Sequence, residues 1–170
     1  GPAWARRIAG NQGGPAREAV RASGAGEDAG WKAGLVEQPV PARDIGGLRR
    51  VTEAVDTPIL ADESVFSAAD ELYILQTHAA DYLNIKLMKT GGIYKALQIC
   101  SVAATCGVQC MMGCMLESRL AVSAATHLAS AKGVIAMADL DGPCLCAADP
   151  FSGGPTFAGE QIAMNATTGL

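Results

Sequence analysis

A parallel α/β fold, in the form of a partial (β/α)8 barrel of the TIM type with about five to six βα units, is predicted by three features of the sequence. Short apolar runs end in a polar or glycine tip: Leu35-Val36 in Glu37, Pro58 to Ala61 in Asp62, Tyr82 to Ile85 in Lys86, Gln109 to Met112 in Gly113, and Val134 to Ala138 in Asp139. The tips recur at intervals of 25, 24, 27 and 26 residues. Each interval carries helical patterning, so strand and helix alternate along the chain. A complete barrel needs eight such units in about 200 residues or more. The 170 residues here hold five sound units and a weaker sixth before Asn11, so the chain is expected to be the C-terminal part of something larger.

Trp4 to Ala9 suits a strand, which Asn11-Gln12-Gly13-Gly14-Pro15 breaks at once. From Ala16 to Ala33 the helical pattern is weak. Ser23, Gly24, Gly26 and Gly30 stand where a helix packed on a sheet wants larger apolar groups, and each Gly costs up to ~1 kcal/mol against Ala. Residues 1–34 are therefore expected to form a poorly specified remnant of a βα unit. From Leu35 the signals agree with one another. Asp44 can cap a helix to about Val55, Thr57-Pro58 stops it and starts the next strand, and Ser67 or Asp70 opens a helix to about Thr77. A helix from Ile93 to Cys106 should end at a left-handed Gly107, and one from Ala121 to Ala131 should be closed by Gly133. This gives a barrel domain over 35–142. The remaining segment, 143–170, reads as loop and a short hairpin between Thr156 and Met164.

A composition that is 49% hydrophobic, rich in Ala and Gly and poor in aromatics, suits a helix-covered parallel sheet. A net charge of −4 argues against nucleic acid as a partner, which would call for clustered Lys and Arg. No apolar run approaches the ~20 residues of a membrane span, and a soluble, cytoplasmic protein is expected. The six cysteines form no CxxC pair and are accompanied by only two histidines. They are read as buried, reduced thiols acting as small hydrophobes, and His127 as a packed structural histidine.

The strand tips carry the chemistry. Glu37 and Asp62, on adjacent tips, offer hard oxygen ligands of the kind magnesium takes while keeping waters and substrate oxygens in its shell. Lys86 on the next tip is a candidate base, its ammonium form disfavoured beside a divalent cation and apolar walls. A metal next to a lysine base is what removal of a proton from carbon beside a carboxylate requires, through an enolate-like dianion.

The runs VEQP (Val36 to Pro39), ADES (Ala61 to Ser64) and NIKLMKTGG (Asn84 to Gly92) resemble the barrel domain of the enolase superfamily, muconate-lactonizing subgroup. DLDGP, from Asp139 to Pro143, is similar to the DxD motif of dipeptide epimerases of the L-Ala-D/L-Glu type. The resemblance implies that Glu37 and Asp62 bind Mg2+ and that Lys86 is the acid/base on one face of the substrate α-carbon. It implies that Asp139 and Asp141 hold the α-ammonium of a small-molecule substrate, a dipeptide or N-acyl amino acid. An aspartate pair facing an ammonium also satisfies charge complementarity.

Two departures from that pattern bear on activity. Ala9 stands where the family carries a third metal carboxylate, in a motif resembling DANQGW, and no KxK motif supplies a second lysine. The isolated chain is therefore expected to be a truncated epimerase, weakly active or inactive, that binds magnesium weakly. The other reading is a non-catalytic barrel remnant serving as a structural or interaction module. In either case, an open barrel with unpaired edges is expected to self-associate as a homo-oligomer.

Overall fold

A computed structural model of the protein describes residues 8–10, 34–159 and 161–166. Six strands lie side by side in chain order and all run parallel: β1 (Ile8–Gly10), β2 (Leu35–Glu37), β3 (Ile59–Ala61), β4 (Tyr82–Lys86), β5 (Gln109–Gly113) and β6 (Ile135–Asp139). The crossovers from β2 onward carry α1 (Ile45–Ala54), α2 (Ala68–Gln76), the single turn α3 (Leu87–Thr90), α4 (Ile93–Cys106) and α5 (Arg119–Ala131). This is the predicted partial barrel, with every C-terminal strand end delivered to one mouth. The expectations for residues 4–7 and 16–33 fall outside the described residues.

The helices start and stop where local chemistry asks. The Asp44 carboxylate accepts the Gly47 N–H at 2.7 Å, the Ser67 hydroxyl accepts the Asp70 N–H at 3.2 Å, and Gly107 ends α4 with φ +71°. Two elements differ from expectation. Extended Ser118 opens α5 at Arg119, ahead of Ala121, and the helix closes on Lys132 instead of Gly133. A turn of helix, α3, is inserted between Lys86 and Gly91, and Gly91 and Gly92, with φ +83° and +104°, reverse the chain before α4.

Strand side chains alternate between two apolar layers. Val36, Ile59, Ala61, Leu83, Ile85, Cys110 and Met112 pack with Leu48 and Val51 of α1, Ile74 of α2, Ile99 of α4 and Val122 of α5. On the other face Leu35, Leu60, Met111 and Met137, with Tyr82 against them, form a second layer inside the barrel wall. These four are 3%, 0%, 1% and 8% exposed. This inner layer is thus buried within the chain. Between Cys110 and Met111 the β5–β6 ladder slips. Cys110 pairs with Ile135 but Met111 with Met137, leaving Ala136 as an extra, exposed residue.

The cysteine reading holds only in part. Cys100 and Cys110 are buried and Cys114 is half-buried, but Cys106, Cys144 and Cys146 are exposed. Cys106 ends α4, and the other two lie in and just past a 3₁₀ turn, Gly142–Leu145. His127 likewise lies on the solvent side of α5. The tail forms an antiparallel hairpin of β7 (Thr156–Ala158) and β8 (Gln161–Ala163), with Phe157 and Ile162 against the main core. Arg119 anchors it through Asp149 at 3.1 Å and the Pro155 carbonyl at 2.8 Å.

One buried group has no counterpart in the sequence reading. Glu71 of α2 is 0% exposed, and neither carboxylate oxygen has a hydrogen-bond partner of good geometry. Burial pushes its pKa up to about 8, offset only in part by the Ala103 backbone amide.

Candidate active site

Glu37 is the last residue of β2, Asp62 follows β3, Lys86 ends β4 and Asp139 ends β6. In register, Lys86 lies opposite Gly113 and Gly113 opposite Asp139, so Lys86 and Asp139 stand at one level with only a glycine between them. β1 brings Gly10 opposite Glu37 and Ala9 opposite Val36. Asp141 is exposed in the turn beyond β6.

Two motifs are locked together by a residue that carries none of the chemistry. Gln38, buried and held at φ +38°, accepts the Asp62 N–H at 2.9 Å and the Ser64 N–H at 3.3 Å through Oε1. Its Nε2 donates to the Val40 carbonyl at 3.0 Å and the Ser64 hydroxyl at 2.9 Å. The tips of β2 and β3 are thereby fixed to each other, and with them the separation of Glu37 from Asp62.

Asp62, 2% exposed, is the electrostatic centre. Lys86 Nζ donates to its Oδ2 at 2.5 Å and Lys89 Nζ to its Oδ1 at 2.5 Å. Burial alone would raise the Asp62 carboxyl, but the two ammonium groups outweigh it and hold its pKa below the ordinary value. Glu37 has the opposite balance: burial and the nearby Asp62 carboxylate push it up to about 7, despite the Asn84 amide, which donates to its Oε1 at 2.7 Å. Burial would depress Lys86, yet the Asp62 hydrogen bond and charge, with Glu37 and Glu63 behind them, raise its pKa. The expectation of a disfavoured ammonium concerns Lys86 with a divalent cation beside it; with Asp62 as its nearest charge the ammonium is favoured.

Asp139 lies exposed at the mouth; partial desolvation there and the Asp141 charge raise it, and Lys86 lowers it. Glu117, 5% exposed, is raised by burial and feels Lys86 as well. The structure brings Glu37, Asp62 and Lys86 into one cluster, with Asp139 in electrostatic reach and Asp141 at its outer edge. Among the described residues no group of three or more His, Cys, Asp or Glu side chains is placed to hold a metal.

Gln38, Asn84, Lys89 and Glu117 escaped the sequence reading, which took Gly113 only as a strand tip. Gly113 is required by space: a Cβ there would lie 2.5 Å from Asn84 Oδ1 and 3.0 Å from the Lys86 stem. Its position as a glycine at the tip of an otherwise apolar strand was the available signal.

Residues 2–170 match the family model described as enolase C-terminal domain-like. The chain is 49% identical over 164 residues to the L-Ala-D/L-Glu epimerase of Clostridium acetobutylicum, spanning 96% of this chain and 46% of that protein. It is 44% identical over 157 residues to the hydrophobic dipeptide epimerase of Enterococcus faecalis, covering 92% and 44%. Among solved structures, a substrate-liganded complex of the Bacillus subtilis L-Ala-D/L-Glu epimerase superposes with a TM-score of 0.87 at 49% identity, covering 91% of this chain and 43% of that one. The Enterococcus faecalis dipeptide epimerase, complexed with Mg and the dipeptide L-Leu-L-Tyr, superposes with a TM-score of 0.81 at 44% identity, covering 86% and 41%. The chain thus spans somewhat less than half the length of these relatives. With its barrel motifs in order and its strand tips assembled as above, the chain belongs to the enolase C-terminal domain-like family, within the enolase superfamily.

Proposed function

We propose that this chain carries one half of the active site of a magnesium-dependent dipeptide epimerase, an isomerase that inverts a carbon beside a carboxylate. The observation that carries the proposal is the Glu37–Asp62–Lys86 cluster on three successive strand tips. Glu37 and Asp62 are hard oxygen donors, and burial, with the Asp62 carboxylate nearby, makes Glu37 resist ionisation up to about 7. Asn84 Oδ1, buried beside them without a hydrogen-bond partner, is a further oxygen in want of one. These residues fit a magnesium ion held by Glu37 and Asp62. When bound, the ion supplies positive charge against the substrate carboxylate and against the charge that builds as the α-proton leaves.

Lys86 is the group that takes or returns that proton on one face. Asp139 and Asp141 hold the α-ammonium of a dipeptide, or receive the corresponding part of an N-acyl amino acid, at the far side of the mouth. With Lys86 the only lysine at a strand tip among the described residues, and Ala9 in place of a third carboxylate, the chain alone binds magnesium weakly and exchanges the α-proton on one face only. Its setting is cytoplasmic, in keeping with described helices none of which is long and apolar enough to cross a membrane. Among the described residues the outer edges of β1 and β6 are unpaired, which favours association of copies.

The test is calorimetric titration with Mg2+, together with NMR of an L-Ala-L-Glu dipeptide incubated with the chain in D2O. Weak binding and slow one-face deuterium uptake, abolished by Lys86→Met, are expected. Inversion of the dipeptide by the chain alone, tight magnesium binding, or exchange that survives Lys86→Met would overturn the reading.

A further inference from the structure

Lys89 is a buried and fully engaged ammonium. It sits on α3, a single turn beyond Lys86, and its side chain is only 2% exposed. Its Nζ donates to Asp62 Oδ1 at 2.5 Å, to the Asp62 carbonyl at 2.5 Å and to the Asn84 carbonyl at 2.9 Å. An ammonium has three donors, and here all three are used. The Phe66 ring lies 5.9 Å from the same nitrogen and helps close that side. A saturated, enclosed ammonium has no free reach toward a substrate, so Lys89 is not a second base.

Its effect falls on Asp62. A carboxylate on a short side chain can rotate, and either oxygen can face the mouth. Lys89 takes Oδ1 and leaves Oδ2 to Lys86 and the mouth, while its bonds to two carbonyls tie the end of β3 to the middle of β4. We propose that Lys89 is a positioning residue: its ammonium clamps Oδ1 and the backbone of Asp62, so that Oδ2 alone is presented to the mouth as a one-oxygen ligand. The ligand role rests on the magnesium reading above; the clamp itself does not.

Three measurements decide it. In the unaltered chain, side-chain ammonium 15N NMR should show Lys89 protons protected from solvent exchange and unmoved by added Mg2+, while those of Lys86 respond. Rapidly exchanging Lys89 protons would overturn the clamp without any substitution that risks the fold. In metal-free crystals of Lys89→Met, the Asp62 carboxylate should rotate from its present orientation; an unmoved carboxylate overturns the proposal. Magnesium affinity of Lys89→Met should fall at least tenfold, whereas Leu48→Ala, a core change chosen to lower Tm comparably, should bind as the unaltered chain does. Equal affinity for Lys89→Met and the unaltered chain overturns the ligand role. Absence of magnesium binding in every form sinks the magnesium reading instead, and the NMR and the crystals then decide the clamp.

Discussion

Glu71→Gln should remove roughly 4 kcal/mol of the loss of folding stability between pH 5 and pH 9. In the native protein the Glu71 carboxyl stays protonated up to about pH 8, because it is fully buried between α2 and α4 with no adequate partner for its charge. The unfolded chain gives up that proton near 4.5. Across this interval unfolding releases a proton, so stability falls as pH rises from about 4.5 to 8 and levels off above it. Each pH unit climbed inside that window removes roughly 1.4 kcal/mol. Between pH 5 and pH 9 the loss comes to roughly 4 kcal/mol, a large part of the ~5–15 kcal/mol that holds a domain together. Glutamine keeps the shape and cannot ionise. Urea unfolding of both proteins at pH 5, 7 and 9 isolates the contribution, since every other titrating group, including the raised thiols of Cys100 and Cys110, is common to the two. The difference in unfolding free energy should move in favour of Glu71→Gln by roughly 4 kcal/mol from pH 5 to pH 9. A difference constant to within about 1 kcal/mol would mean that Glu71 finds a partner for its charge, and the reasoning from burial would fail.

Gly113→Ala places a methyl group 2.5 Å from Asn84 Oδ1 and 3.0 Å from Lys86 Cε. It should cost about 1–3 kcal/mol of stability and weaken magnesium binding further, as urea unfolding and calorimetry would show; unchanged affinity would mean that both side chains yield freely. The edges of β1 and β6, open among the described residues, lead us to expect a dimer or larger species by light scattering at micromolar concentration, and a cooperatively melting monomer would refute that.

Much of the fold was legible because its local and global signals coincide. The spacing of the tips gave the strands from Leu35 onward, and Asp44, Ser67 and Gly107 announced their caps by residue type. What the sequence could not show was environment. Lys89 stands three residues after Lys86 in a polar-looking run and reads as a surface lysine; only the turn of α3 and its reversal at Gly91-Gly92 bring it beneath Asp62. Glu71 occupies a first-turn position that favours acids for helix-dipole reasons and gave no hint of the α4 wall over it. Cys144 and Cys146 sit among small apolar residues yet face solvent, because none of the described tail residues covers them on the 3₁₀ turn. Glu37, Asp62 and Lys86 could be named from their places at strand ends, but the Gln38 bridge that sets their spacing depends on a backbone conformation, φ +38°, that no sequence pattern announced.

The slipped ladder at β6 bears on how this strand can change length over generations. In a flush strand, gaining or losing one residue swaps the two faces, and a residue bound for the mouth ends up under the helices. Here Ala136 has no partner, and the pairing resumes with Met137 opposite Met111 and Asp139 opposite Gly113. Losing Ala136 would restore a regular ladder with those same pairs. The strand therefore carries one residue of slack just ahead of its tip, and a single-codon deletion at that point would leave Asp139 aimed where it is now.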